Sequence, residues 1–356
     1  MRLLRCFFYF LLFYISLLQA TEYVYPVACN KETIFYIHQH TPTNIELFEW
    51  NTSTHKSEQI LWSLFNPAGL QLLPDNSGFS FIDNGRLRIK LFQRRTPKAI
   101  DFDDPLFNIN ALHWIDEHTC YCSGQSSDNF SIFQLHDDGT MHCLVGEKGK
   151  DYMYPQKVDT LLFYIERSTT NNLAGDLCYR IMSCMYQTDI SCASGALIID
   201  FQDKPIVFLT MTSHEQGFAL EHPRSVDSDS QTTPFSYHRI IKNGDSWSKN
   251  LLFSFTIPTN LLLPGDLRLY ESLLPLLPRI IDNKIYFVDC AKNSPYGLEP
   301  YYYDLATKLI TKIAVPAKKQ GHYFVPMLCG KKLYCGGTFQ ANKNQGEKEP
   351  FISFLT

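Results

Sequence analysis

The sequence predicts an all-β fold, and three observations predict it. An apolar or aromatic run of three or four residues recurs along the chain at a nearly constant spacing broken once. A polar turn residue precedes each run. Amphipathic helical periodicity is absent over any stretch of 12 residues. The runs begin at Ile34, Phe79, Cys120, Leu162, Ile206, Ile285 and Leu333, separated by 45, 41, 42, 44, 79 and 48 residues. A period of about 40–50 residues belongs to rings of four-stranded blades. Seven such runs predict a single β-propeller of seven four-stranded blades, with six blades, the end units sharing one, as the alternative.

The clearest unit is Leu277–Val288 followed by Tyr301–Ile313. An apolar strand after Pro278 meets Asp282-Asn283 and reverses into Ile285–Val288, and a second hairpin turns at Ala306-Thr307. Asn and Asp favour such turns because their side chains hydrogen-bond the local backbone and tolerate positive φ. The turns ahead of the other runs read Asn30, Asp75-Asn76, Asp116-Glu117, Asp159, Asp203 and Gly330. Pro155, Pro278 and Pro326 stand seven residues before their runs and Pro26 stands eight before its own, with Cys29 and Cys329 each three residues beyond a proline. Asp138-Gly139 and Asn243-Gly244 read as further hairpins.

At the amino terminus, Arg2 and Arg5 precede an apolar run from Cys6 to Leu18 that ends at Leu18-Gln19-Ala20. This is the pattern of a secretory leader, residues 1–20, cleaved after Ala20, with residues 21–356 forming one propeller domain. The run is short for a membrane span, and no stable membrane insertion is expected once the leader is gone. Export makes a periplasmic or secreted location the expectation.

The last unit holds a third strand at Phe351–Phe354 and no sequence for a fourth, which Glu22–Tyr25 would supply from the other end of the chain. The spacing of 79 residues after Ile206 is read as one blade with a long inserted loop at 221–234. Its centre, Ser225–Pro234, has no strand pattern.

Without the leader, 30 basic residues face 36 acidic ones, with no basic face, so nucleic acid is not an expected partner. Ten of the eleven cysteines remain. Cys120 and Cys122 are two apart in one strand, about 7 Å, too far for an easy bridge. No Cys pair is matched by a second metal-ligand pair, so buried or disulfide-bonded cysteine is expected and zinc is not.

One segment resembles a known family. Leu73-Pro74-Asp75-Asn76-Ser77-Gly78-Phe79-Ser80-Phe81-Ile82 is similar to the S-P-D-G-x-x-[IL]-A-F repeat of TolB-like propellers, and Tyr303-Asp304-Leu305-Ala306-Thr307-Lys308 resembles the Y-D-x-x-T-G/K hairpin of that superfamily. The resemblance implies an exported scaffold that binds other proteins through its faces and channel. That motif is structural, so no catalytic residues come with it.

Histidines concentrate around the inserted loop, at His214-Glu215, Glu221-His222 and His238. The spacing is not His-Glu-x-x-His, so these residues are candidates for partner contact at the ring mouth and not for a metalloprotease site. Tyr301 and Tyr302 join them, because three consecutive tyrosines cannot all face one side of a sheet. Asp101–Pro105 lacks the Gly and distal Glu of a calcium loop. No Gly-x-Ser-x-Gly elbow occurs. Asn51-Thr52-Ser53 and Asn129-Phe130-Ser131 are glycosylation acceptors in a eukaryotic source only.

The inner strands, read as Tyr23–Val27, Leu70–Leu73, Ala196–Ile199 and Phe324–Met327, are apolar and poor in carboxylates. That favours a propeller that binds a protein partner, with no catalytic residue, metal or cofactor expected, over a lactonase- or glycosidase-type hydrolase with a channel metal.

Overall fold

Two-residue turns at 31–32, 159–160, 282–283 and 330–331 set the pattern of the chain, because each holds its first residue at positive φ: Lys31, Asp159, Asp282 and Gly330. That geometry reverses a strand tightly onto its successor. The computed structural model describes residues 22–41, 44–61, 66–75, 77–83, 86–92, 98–100, 107–125, 129–169, 177–185, 195–223, 230–262, 274–291, 294–315, 322–339 and 352–355. The expected leader, Asp101–Pro105, Cys192 and the 224–229 part of the expected loop lie outside the described residues.

Strands follow one another as antiparallel meanders. The first sheet holds β1 (Glu22–Asn30), β2 (Thr33–Thr41), β3 (Asn44–Asn51) and β4 (Lys56–Leu61). The second holds β5 (Asn66–Leu72), β6 (Gly78–Asp83), β7 (Arg86–Leu91) and β8 (Lys98–Ile100). The third holds β9 (Phe107–Trp114), β10 (Thr119–Gln125), β11 (Phe130–His136) and β12 (Met141–Val145). The fourth holds β13 (Lys150–Val158), β14 (Leu161–Thr169), β15 (Leu177–Met185) and β16 (Ala196–Gln202). The fifth holds β17 (Ile206–Ser213), β18 (Gln216–Glu221), β19 (Thr232–Asn243) and β20 (Ser246–Pro258). The sixth holds β21 (Arg279–Ile281), β22 (Lys284–Ala291), β23 (Ser294–Asp304) and β24 (Ile310–Lys312). The chain closes with β25 (Met327–Cys329), β26 (Lys332–Cys335), β27 (Gly337–Phe339) and β28 (Ile352–Leu355).

This is an all-β, single propeller with six four-stranded blades. A seventh four-stranded blade, expected from the seven runs, does not form among the described residues. The last sheet is β25-β26-β28 alone, because β27 leaves it to pair with β1. The two chain ends therefore share the first sheet. First strands pack on first strands, β1 on β5, β5 on β9, β9 on β13, β13 on β17 and β25 on β1, so they line the inside of the ring.

Three expectations need correction. Glu22–Tyr25 forms the inner strand of the first sheet and not the outer strand of the last; β27, the next-to-last strand, crosses over instead. Gly336-Gly337 makes the crossing possible, since a Cβ at either position would strike the backbone of Val24 or His322. Val24 pairs with Gly337, Tyr23 with Thr338 and Glu22 with Phe339, covering an edge that would otherwise leave N–H and C=O groups open. Ile206–Leu209 is the first strand of its sheet and β18 the second, which accounts for a small part of the anomalous spacing; the long β19 and β20 and the 222–231 connection add to it. Ala196–Ile199 belongs to β16, the outer strand of the fourth sheet, so it says nothing about the channel lining.

The inner prolines sit where the ladder is already broken. Pro26 lies at the β1–β2 register shift, and Pro155 lies within the shift between Met153 and Gln156. Proline has no N–H to lose there. Register shifts in β5, β9 and β13 accompany a polar side chain turned toward the next sheet. Gln71 Nε2 donates to Leu112 O. The His113 ring hydrogen-bonds the Lys157 backbone. Gln156 Nε2 donates to Leu209 O at 2.8 Å while Met211 N donates to Gln156 Oε1 at 2.6 Å. Ala111 and Tyr154, two residues before His113 and Gln156, both have positive φ, so the bracket is a repeated local geometry.

Between sheets the core is aromatic. Phe253 of the fifth sheet stacks on Phe287 and Tyr303 of the sixth, with ring centroids 4.3 and 5.3 Å away. Trp114 Nε1 donates to Ser80 Oγ at 2.8 Å between the third and second sheets. The motifs that resemble TolB-like repeats are turn chemistry. Asp75 Oδ1 accepts from Ser77 N at 2.9 Å, and Asp304 Oδ1 accepts from both Ala306 N and Thr307 N at 2.9 Å.

Among the described residues one disulfide, Cys29–Cys329, spans 300 residues and joins β1 to β25. Cys120 and Cys122 are buried free thiols, as expected. Replacing Cys29 and Cys329 by Ser should lower unfolding stability by about 2–5 kcal/mol, because it frees a very long loop in the unfolded chain. Urea unfolding of oxidised protein against the double variant measures this. Gln156→Leu should cost about 1–3 kcal/mol by stranding Met211 N and Leu209 O, and a cost under 0.5 kcal/mol would show the bracket to be dispensable.

Candidate functional site

The register of the fifth sheet brings three of the expected residues to one end of it. Glu221 is the last residue of β18, and His238 on β19 lies opposite Ala219. Ala219 and Glu221 point the same way in a pleated strand, so Glu221 and His238 are diagonal neighbours on one face. Glu221 Oε2 lies 3.1 Å from His238 Nε2, and both residues are buried. His222 follows directly. Its N–H donates to Pro205 O at 2.9 Å, its ring meets Phe235 edge-on at 5.0 Å, and its Nδ1 lies 2.6 Å from Pro223 O.

Neighbouring strands complete the group. Lys204, on the connection between β16 and β17, places Nζ 3.4 Å from Glu221 Oε1. Phe201 of β16 stands edge-on to the His238 ring at 5.7 Å, and Lys249 of β20 sets Nζ 3.9 Å above the Phe201 ring. The result is a buried carboxylate–imidazole pair at the junction of the fourth and fifth sheets, bordered by two lysines.

Burial holds the His238 imidazole below the usual histidine range. Lys249 and Lys204 push it the same way, and Glu221 opposes them. Burial also lowers Lys249, with Glu221 opposing. His238 is therefore an uncharged ring at neutral pH. Because the pair is enclosed, it fixes strand ends and offers no open acid–base dyad to solvent. Among the described residues, no three His, Cys, Asp or Glu side chains are placed to hold a metal ion.

The remaining candidates lie elsewhere. His214 and Glu215 occupy the β17–β18 hairpin, at the opposite end of β18 and about 20 Å from Glu221 at roughly 3.3 Å per residue. There His214 Nδ1 is 3.2 Å from Asp159 Oδ2 of the β13–β14 hairpin, with both side chains exposed. Tyr301 and Tyr302 lie on β23. Tyr301 stacks on Phe287 at 5.7 Å and donates to Glu299 Oε2 at 3.2 Å. Tyr302 contacts Tyr286 and carries Lys284 Nζ 4.6 Å over its ring. Both are half-buried, while Tyr303 is buried. Sequence reasoning missed Lys204, Lys249 and Phe201. They come from other strands and a neighbouring sheet, and no local spacing links them to Glu221.

Glu221 and His238 stand at the base of the longest connection between second and third strands in the six meanders. It runs over 222–231, against 42–43, 84–85, 126–129, 170–176 and 292–293 elsewhere. At its far end, Ser230 Oγ donates to Thr232 O at 2.7 Å and Thr259 N donates to Gln231 O at 3.0 Å.

No family model and no curated protein matches the sequence. Among solved structures, the chain is similar to a puromycin-hydrolysing peptidase of Mycobacterium tuberculosis, with 11% identity and a TM-score of 0.61 over 90% of this chain and 49% of the peptidase. It is also similar to the β-propeller domain of the Trilobed protease from Pyrococcus furiosus, with 10% identity and a TM-score of 0.54 over 90% of this chain and 92% of that domain. TolB from Acinetobacter baumannii gives 12% identity and a TM-score of 0.49 over 85% and 64%. The chain thus spans about half the length of the mycobacterial peptidase. The first two likenesses show the fold: a propeller of divergent repeats.

The pH dependence of this junction has a definite sign. A histidine whose folded pKa is depressed contributes stability that is full above its unfolded value near 6.5 and is lost as pH falls through the folded value. The melting temperature of the native protein should therefore fall more steeply than that of His238→Gln on going from pH 7 toward pH 5. Parallel curves would contradict a buried neutral His238.

Proposed function

We propose that this chain is an exported β-propeller, residues 21–356 behind a leader at 1–20, that binds a protein partner and has no catalytic activity of its own. The contact segment is 222–231, and it is the anchoring of that segment that carries the reading. It is the longest second-to-third-strand connection in the meanders; its near end starts from buried Glu221 and His222, and its far end is hydrogen-bonded to half-buried Thr232 and Thr259. Long connections on a rigid scaffold are where binding surfaces concentrate. Glu221, His222 and His238 hold its base. His214 and Glu215 would serve the opposite face, and Tyr301 and Tyr302 the sixth sheet.

Export is supported by the charged-then-apolar start of the sequence and by the Cys29–Cys329 disulfide, which persists in oxidising compartments. The resemblance of Leu73–Ile82 and Tyr303–Lys308 to TolB-like repeats implies the same setting. Among the described residues no helix is long and apolar enough to cross a membrane.

A photoreactive amino acid at position 227, compared with one at position 160 on the far hairpins, tests the proposal. In cells exporting the protein, crosslinks to one discrete protein should form from position 227 and be at least about tenfold weaker from position 160. Equal labelling from both positions, or none from 227, would remove the segment as the contact surface.

A further inference from the structure

Arg279 opens β21, and its guanidinium lies across the seam of the ring. NH2 donates to Pro26 O at 2.7 Å. Pro26 belongs to β1, so the side chain reaches from the sixth sheet to the first, past the last sheet between them. The inner edge of the ring is where such a reach is short. NH1 is buried and has no hydrogen-bond partner among the described residues.

No described carboxylate balances this cation. Burial pulls the Arg279 guanidinium down to about 10, and the one charge-bearing neighbour acting on it is Cys335. Cys335 supplies no counter-charge, because burial pushes its thiol up to about 12 and Sγ donates to Phe324 O at 2.7 Å. Other arginines of the ring are treated differently. Arg167 meets Asp151 at 2.8 Å, and Arg180 meets Glu166 at 3.3 Å. A second unsatisfied nitrogen, His322 Nδ1, lies on the same seam, where Thr338 N donates to His322 O at 3.0 Å. Buried charges are retained when they are paired, and a guanidinium is shaped to pair with an oxyanion.

The geometry points to an oxyanion site at the ring seam, in which Arg279 NH1 is the donor to a carboxylate or phosphate group of a ligand. The ligand class is a small oxyanion, free or at the end of a peptide chain. The site is built from Arg279 of β21 and Pro26 of β1 and includes no residue of the 222–231 segment.

Thermal unfolding of the oxidised full chain tests the assignment at constant ionic strength. Chloride is exchanged for acetate, for inorganic phosphate, and for a short peptide with a free carboxyl end or its amidated form. Native protein should gain about 2 °C in melting temperature at ten times the dissociation constant. Arg279→Met should lose the gain, and Arg279→Lys, which keeps charge without the fork, should show a smaller one. A gain with acetate or phosphate identifies a free anion. A gain with the free-acid peptide and not its amide identifies a chain end. Equal gains in native protein and Arg279→Met, or no gain with any of the anions, would overturn the site. Should Arg279→Met fail to fold by circular dichroism, the comparison with Arg279→Lys decides: equal gains there would also overturn it.

Discussion

The joining of the first strand to the C-terminal strands β25 and β27 is the constraint on which the rest of this ring depends. Each sheet packs chiefly on its neighbours, so a row of sheets left open would expose two edges and lose the mutual support that a ring provides. Here the joint has several independent parts. β27 pairs with β1, Cys29 is bonded to Cys329, Arg279 donates to Pro26, and Trp50 of the first sheet meets Tyr334 of the last at 5.6 Å. Gly336 and Gly337 are needed because the crossing strand runs at backbone contact with Val24 and His322. The disulfide restricts the unfolded chain and also ties β1 to β25 in the folded one, where the strand pairing and the aromatic contact act beside it.

Within the ring, two kinds of contact hold adjacent sheets in register. Near the axis, Gln71, His113 and Gln156 each reach the backbone of the next first strand. Further out, aromatic side chains interleave, as at Phe253, Phe287 and Tyr303. The junction of the fourth and fifth sheets adds a third kind, with Phe201 pressed between His238 and Lys249. This rigidity lets a long connection such as 222–231 leave the ring without loosening the strands beneath it. Its first residue is tied to Pro205 and its last to Thr259.

Much of this architecture was legible because second strands announce themselves. Ile34–Ile37, Phe79–Ile82, Leu162–Ile165 and Ile285–Val288 combine β-branched and aromatic residues with a polar turn just ahead, and all four are second strands. The same composition misled at Ile206–Leu209. An inner strand enclosed on both faces also reads as an unbroken apolar run, and Asp203 there marks the link between sheets and not a hairpin. Closure was legible only as a need. Cys29 and Cys329 stood in equivalent positions after their prolines, yet nothing local showed that Gly336-Gly337 would carry the chain onto β1. At the candidate site, Glu221, His222 and His238 were visible as a cluster of types. His214 and Glu215 were grouped with them by proximity in sequence, and a single strand then carried them to the other end of the sheet. Lys204, Lys249 and Phe201 were invisible, because contact between sheets leaves no periodic trace.

Hydrogen exchange with and without reduction of the disulfide is the most direct measurement of the central claim, that the ring is held closed at β1, β25 and β27. On reduction, amide protection should fall first at Tyr23–Val24, Thr338 and Leu328–Cys329, while β10 and β14, across the ring, keep theirs. Loss of protection spread evenly over all the sheets, or none at β1 and β27, would contradict the account.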